Sequence, residues 1–111
     1  MAELAFKVQW DEEAENLLRR RGNYMLEKIH EEFERDPQKE ALEFDPDNNC
    51  FVTPVANRRY SVVWRMFREQ KLAKVSAVVP TRFVRENIET LKNRVKSIVL
   101  QESGGRVKLT P

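Results

Sequence analysis

Hydrophobic and polar residues alternate through residues 4–10, LAFKVQW: Phe6, Val8 and Trp10 fall on one side, Lys7 and Gln9 on the other. A period of two predicts a half-buried β-strand. Asp11 then stands where a helix N-cap belongs, with Glu12 and Glu13 in the first turn, where they suit the helix dipole. Ala14, Leu17 and Leu18 form an apolar stripe, and Arg19, Arg20, Arg21 and Gly22 mark its end. Asn23 is placed to cap a second helix, in which Leu26, Ile29 and Phe33 recur at helical spacing until Pro37 stops it. So short a connection makes the two helices a hairpin. Its outer positions Glu27, Glu31, Glu32 and Glu34 have the pattern of a solvated face.

The next stretch reads as strands. ALEFDPDNN (41–49) is a short strand running into a turn rich in Asp, Pro and Asn. CFVTPVA (50–56) is another, and Pro54 predicts an irregularity or a locally unpaired edge within it. Asn57 and Arg58 make a tight connection to a strand over 59–68. LAKVSAVV (72–79) is a last strand, apolar enough to lie inside a sheet, and Pro80 ends it. From Thr81, a good N-cap, the period turns helical. Val84, Ile88, Leu91, Val95 and Ile98 form one stripe along a continuous helix. That stripe must cover this chain's own sheet, a second copy or another protein. Residues 102–111, ESGGRVKLTP, read as a polar, disordered tail.

The order β-α-α-β-β-β-α predicts an α+β fold, a single domain over residues 1–101. A small, twisted, mainly antiparallel sheet would carry the helical hairpin on one face, with a C-terminal helix following. The other face is expected to stay open and concave.

Composition narrows the chemistry. A chain of 111 residues, 41% hydrophobic and 34% charged, suits one globular core. No apolar run approaches the ~18 residues of a membrane span, and the N-terminus lacks the order of a signal peptide. One cysteine, Cys50, allows no internal disulfide; a cytoplasmic setting is expected, with Cys50 a small strand residue. His30 has no second histidine to share a metal and no nucleophile to activate, so no metal or cofactor is implied. The net charge of +2 hides an asymmetry. Residues 1–50 hold 7 Lys/Arg against 14 Asp/Glu, and residues 51–111 hold 13 against 4. Either the two halves pack together and cancel, or the second presents a basic face to phosphates or an acidic protein.

NRRYSVVWRMF (57–67) concentrates that question. Side chains two apart share a strand face. Tyr60, Val62, Trp64 and Met66 are large and apolar and should face the helices. Arg59, Ser61, Val63, Arg65 and Phe67 should then face outward, with Arg59 and Arg65 on either side of Ser61. They form a cationic floor or they solvate an exposed face. Phe67 there is compatible with base stacking or with edge packing.

In this order, FKVQWDEEAENLL, IHEEFERDP, CFVTPVANRRYSVVWRMF and LAKVSAVVPTR resemble the opening strand and helix, second helix, central strands and last strand of the RelE/ParE superfamily of bacterial type II toxins. The resemblance spans about residues 5–90. It implies a growth-inhibiting toxin. RelE-type members cut mRNA in the ribosomal A site without metal or cofactor, using basic side chains on the sheet to orient RNA and to offset charge on the scissile phosphate. Carried onto this sequence, the catalytic candidates are Arg82, Arg59 and Arg65. RNA-binding candidates are Arg58, Arg68, Arg85 and Phe67. The sequence departs from the pattern at Ser61, where the nucleases usually carry arginine, and at Val52-Thr53-Pro54, where lysines are common. Those departures keep open a ParE-like toxin acting on DNA gyrase, an inactive member kept as a binding module, and a small RNA-binding domain outside the family. Either toxin reading implies a cognate antitoxin as partner, with ribosome and mRNA, or gyrase, as target.

Overall fold

The computed structural model describes residues 6–102, and the opening alternation becomes a strand, β1 (Lys7–Trp10). Asp11 follows with extended backbone, and its carboxylate accepts a hydrogen bond from the Ala14 N–H at 3.3 Å. This cap starts α1 (Glu12–Arg20). The helix buries Ala14 and Leu18, but Leu17 lies outside the stripe expected of it, 51% exposed. Gly22, not Asn23, occupies the N-cap position of α2 (Asn23–Arg35). Its φ of 132° and ψ of 136° lie where side chains rarely go, so the glycine sets the reversal between the helices.

Five strands form one sheet in the order β1-β5-β4-β3-β2, with β2 (Leu42–Asp45), β3 (Cys50–Val55), β4 (Tyr60–Phe67) and β5 (Leu72–Pro80). β1 runs parallel to β5, and the other pairs are antiparallel. A 3₁₀ turn, Pro46–Asn48, joins β2 to β3 through Asn49 in the left-handed region. β2 pairs with β3 only as far as Val52, so Pro54 falls where the outer edge of β3 has no strand neighbour. That accommodates its missing N–H.

The period-two reading of β4 holds. Val62, Trp64 and Met66 pack under α1 and α2 with Leu18, Leu26, Ile29 and Phe33. Phe33 meets Trp64 edge-on at 5.5 Å and Phe6 does so at 6.4 Å. Two buried polar side chains on this side, Trp64 and Thr53, are joined in a relay. Trp64 Nε1 donates to Thr53 Oγ1 at 2.9 Å, and Thr53 Oγ1 donates to the Pro37 carbonyl at 2.6 Å. The relay ties the end of the hairpin to the middle of the sheet.

The opposite face is not open. The continuous helix expected from Thr81 is two helices, α3 (Thr81–Glu86) and α4 (Ile88–Glu102). Between them Asn87 leaves the helical region (φ −132°, ψ 44°), and its side-chain amide donates to the Phe83 carbonyl at 3.3 Å. Such local side-chain bonding competes with helix continuation. The break shifts the helical phase: Ile88 drops out of the stripe, 42% exposed, while Leu91, Val95 and Ile98 stay buried. Leu91 and Val95 pack on Cys50 and Val63, so the chain covers its own sheet. Thr81 is likewise the first residue of α3, not its cap.

Ion pairs fasten α4. Arg94 pairs with Asp11 and, at 2.8 Å, with Glu13. Glu102, helical here rather than part of the expected tail, meets Arg65 at 2.5 Å and Lys74 at 3.5 Å. The rest of that tail, 103–111, lies outside the described residues. Partial burial opposes ionisation of Glu102, but the hydrogen bond and charge of Arg65, with Lys74, outweigh it and hold the carboxyl below its ordinary value of 4.5.

Two stability outcomes follow from these contacts. Thr53→Val breaks both links of the relay and should cost about 1–3 kcal/mol, read as a lower urea midpoint at unchanged slope. Glu102→Gln leaves the Arg65 guanidinium buried beside a neutral amide and should lower the thermal midpoint at pH 7. A depressed folded-state pKa means the contribution is present above the unfolded value and fades as pH falls through the folded one. Wild type and Glu102→Gln should therefore draw together as the solution is acidified below the ordinary carboxylate range. Melting curves from pH 7 to 3 check this.

Candidate functional site

Arginines gather at one end of the sheet, where the β3–β4 turn, the end of β5 and the start of α3 meet. The turn is Ala56–Arg59. Ala56, Asn57 and Arg58 all have positive φ (54°, 57° and 66°). Left-handed backbone costs a non-glycine residue about 1–2 kcal/mol, so contacts must hold it. The Ala56 N–H donates to Glu32 Oε1 at 3.0 Å, and Arg58 pairs with Glu40 at 2.5 Å. Glu40 is itself left-handed (φ 57°). Both acids come from the hairpin or the segment after it, which thereby clamp the turn.

The start of α3 is fixed to the same place. The Thr81 N–H donates to the Arg59 carbonyl at 2.9 Å. Ser61 Oγ donates to Thr81 Oγ1 at 3.0 Å, and Ser61 is buried. Serine in place of the expected basic residue thus serves as a structural tie between β4 and α3.

A cleft of about 560 Å³ opens here, lined by Arg58, Arg59, Tyr60, Thr81, Arg82 and Arg85 together with Pro80. Arg58, Arg59, Arg82 and Arg85 are exposed. Among the described residues only Arg58 of these four has a carboxylate partner, Glu40. The other three guanidinium groups present uncompensated charge to solvent, the electrostatic footprint of a phosphate-binding surface. The lining offers two hydroxyls, on Tyr60 and Thr81, but neither an imidazole nor a carboxylate.

The remaining candidates lie elsewhere. Arg65 is six residues from Arg59, about 20 Å along a strand. It is buried under α4 with Glu102 rather than displayed on an open face. Phe67 does not stand free either: Arg65 and Lys74 lie over its ring at 5.3 and 5.2 Å. Arg68 is exposed just past β4, at the far end of the sheet. Sequence reasoning placed Arg65 and Phe67 on one face with Arg59, and α4 covers Arg65 on that face. It missed Glu40 and the Ser61–Thr81 tie, whose partners are 18 and 20 positions apart and have no periodic signal.

Cys50 is fully buried, and burial first, then the Asp45 carboxylate, push its thiol up to about 12 despite the counteracting charge of Arg65. It has the character of a packing residue. Among the described residues no three His, Cys, Asp or Glu side chains converge in metal-binding fashion, and no helix is long and apolar enough to cross a membrane.

No family model and no curated protein matches this sequence. Solved structures do match in three dimensions. A doubly substituted variant of the Escherichia coli toxin RelE in the free state superposes with a TM-score of 0.60 at 22% identity, covering 85% of this chain and 98% of that one. The intact E. coli RelBE toxin–antitoxin complex gives 0.52 at 21% identity, over 68% and 96% of the two chains. The RelBE2 toxin–antitoxin complex of Mycobacterium tuberculosis gives 0.56 at 15%, over 68% and 98%.

The unpaired arginines set an expectation that rests on charge alone. Affinity for a short single-stranded oligoribonucleotide should fall linearly in log–log form with salt. Arg59→Ala, Arg82→Ala and Arg85→Ala should each reduce the slope by about 0.7. Arg68→Ala should leave it unchanged. Fluorescence anisotropy across a salt series measures both.

Proposed function

We propose that this chain, which has the fold of the RelE toxins, is the toxin of a type II toxin–antitoxin pair and cleaves mRNA on the ribosome in its arginine cleft. The observation that carries the reading is the convergence of Arg58, Arg59, Arg82 and Arg85 on one cleft, three of them without a carboxylate partner among the described residues.

The chemistry suits such a cleft. In RNA cleavage the ribose 2′-hydroxyl loses its proton and attacks the adjacent phosphorus. The bond to the 5′-oxygen breaks, and that oxygen takes up a proton. Charge builds on the non-bridging oxygens at the midpoint, where fixed guanidinium groups stabilise it. Arginine keeps its proton throughout, so it supplies charge and position rather than acid–base work. With no imidazole or carboxylate in the lining, the acceleration rests on orienting the RNA. A ribosome that holds mRNA in place would supply much of that order, which supports the ribosome-dependent form of the reaction. Arg82 and Arg59 keep their proposed catalytic roles. Arg85 binds a flanking phosphate, Arg58 stays paired with Glu40 at the cleft wall, and Arg65 is reassigned to fastening α4.

The toxin–antitoxin complexes among the structural neighbours support a cognate antitoxin as partner, acting in the cytoplasm. One observation favours a second reading. Val52, Pro54 and Ser61 leave the cleft's neighbourhood without the additional cations of a RelE-type nuclease, which a ParE-like inhibitor of gyrase would not need.

Inducing the chain alone in bacteria and mapping new mRNA 5′ ends separates the two. Codon-phased ends should appear within open reading frames, and Arg82→Ala should reduce them on the order of 10²-fold with the fold intact. Growth arrest without such ends would refute the nuclease and turn attention to gyrase.

A further inference from the structure

Two carboxylates reach the arginine cleft from outside its lining. Glu32 stands on α2, and Glu40 in the short segment between α2 and β2. That segment is a firm mount. The Thr53 hydroxyl donates to the Pro37 carbonyl at 2.6 Å, and the Lys39 and Ala41 N–H groups close turns onto the Asp36 and Gln38 carbonyls at 3.2 and 3.1 Å. Both acids hold the turn that leads into the cleft, Glu32 through the Ala56 N–H and Glu40 through the Arg58 guanidinium.

We infer that Glu32 and Glu40 are positioning residues: by fixing the turn they set where Arg59 stands relative to Arg82 and Arg85. The inference rests on the RNA-binding reading of the cleft and adds to it a part played by acids. Transmission runs through the backbone. The Arg59 N–H donates to the Ala56 carbonyl at 3.1 Å, and the Arg59 carbonyl accepts from the Thr81 N–H at 2.9 Å. Thr81 opens α3, which carries Arg82 and Arg85. A shift of the turn therefore moves Arg59 and the start of α3 against each other. Three left-handed residues in a row favour such a shift, since each has a lower-energy region to relax into once its contacts go.

Glu40 is the sharper case, because charge and position pull in opposite directions. A carboxylate beside an anion-binding cleft repels the ligand, so by electrostatics alone its removal strengthens binding. A brace has the reverse effect: without Glu40 the turn relaxes, the guanidinium groups lose their spacing, and binding weakens. The pair is largely in water, with side chains 70% exposed at Arg58 and 45% at Glu40, and it adds little to the stability of the whole domain. What it confers is local order.

The test uses the full chain. Amide hydrogen exchange followed by NMR reads the turn with no RNA present. Anisotropy with a 2′-O-methyl oligonucleotide, which binds without being cleaved, reads the cleft. Glu40→Ala should speed exchange at Arg59 and Thr81 several-fold with the thermal midpoint almost unmoved. It should also weaken oligonucleotide binding several-fold at an unchanged salt slope. The charge-swapped pair, Arg58→Glu with Glu40→Arg, keeps the net charge and should return both readouts to within about twofold of wild type, where either substitution alone does not. Tighter or equal binding by Glu40→Ala would overturn the positioning role and leave the arginine cleft standing as a plain electrostatic surface. A swapped pair that recovers exchange protection but not binding would overturn it too, and would make Arg58 a direct phosphate contact. No binding by the wild-type chain at low salt would overturn the RNA reading and this role with it.

Discussion

Everything in this molecule hangs on a strand buried on both faces. From Ser61 to Met66 every residue of β4 is buried. It is hydrogen-bonded to β3 on one side and β5 on the other. Such a strand can exist only if each face finds a cover of its own. Trp64 and its neighbours take the helical hairpin, and Val63 takes α4. The polar members of the strand then need partners in the dry interior. Ser61 finds Thr81, and Arg65 finds Glu102. Those two contacts tie down α3 and α4 respectively, so the secondary cover is organised by the central strand's own polar residues.

This arrangement determines where the sheet stays accessible. The middle of the sheet is closed on both sides, which leaves the end where β4 begins. There the strand emerges from a turn of three left-handed residues. Strain of that kind persists only where surrounding contacts over-determine it, and here Glu32 and Glu40 hold it. The acidic half of the chain thus does two things at once. Its carboxylates solvate the hairpin, and two of them fix the turn that carries the basic cleft. Charge asymmetry between the halves is not simply cancelled: Arg58, Arg65 and Arg94 are spent on ion pairs, while Arg59, Arg82 and Arg85 have no carboxylate partner among the described residues.

Much of the fold was legible because its signals are local. The alternation through FKVQW, the Asp11 cap, the Asp-Pro turn and the period-two strand over 59–68 are all written within a few residues of where they act, and the structure bears each out. The candidate site was half legible for the same reason. Arg58 and Arg59 lie in one turn, and Arg82 and Arg85 on one helical turn, so neighbours in sequence stayed neighbours in space. Arg65 lies outside the cleft, buried, because its surroundings depend on a residue 37 positions away. Local pattern put it on a face, correctly, but could not say whether the face was covered.

By itself, then, the sequence determined the strands, the helical hairpin and the face on which the β4 side chains lie, since these follow from period and from local backbone preference. Only the tertiary structure decided which face met water. The break at Asn87 turns α4 so that Leu91, Val95 and Ile98 meet the sheet, and covering a face removes every polar group on it from solvent at once. One arginine of the central strand became a buried anchor, while Arg59 at its start stayed exposed. Burial is a property of the whole assembly, and no residue carries it in its own identity.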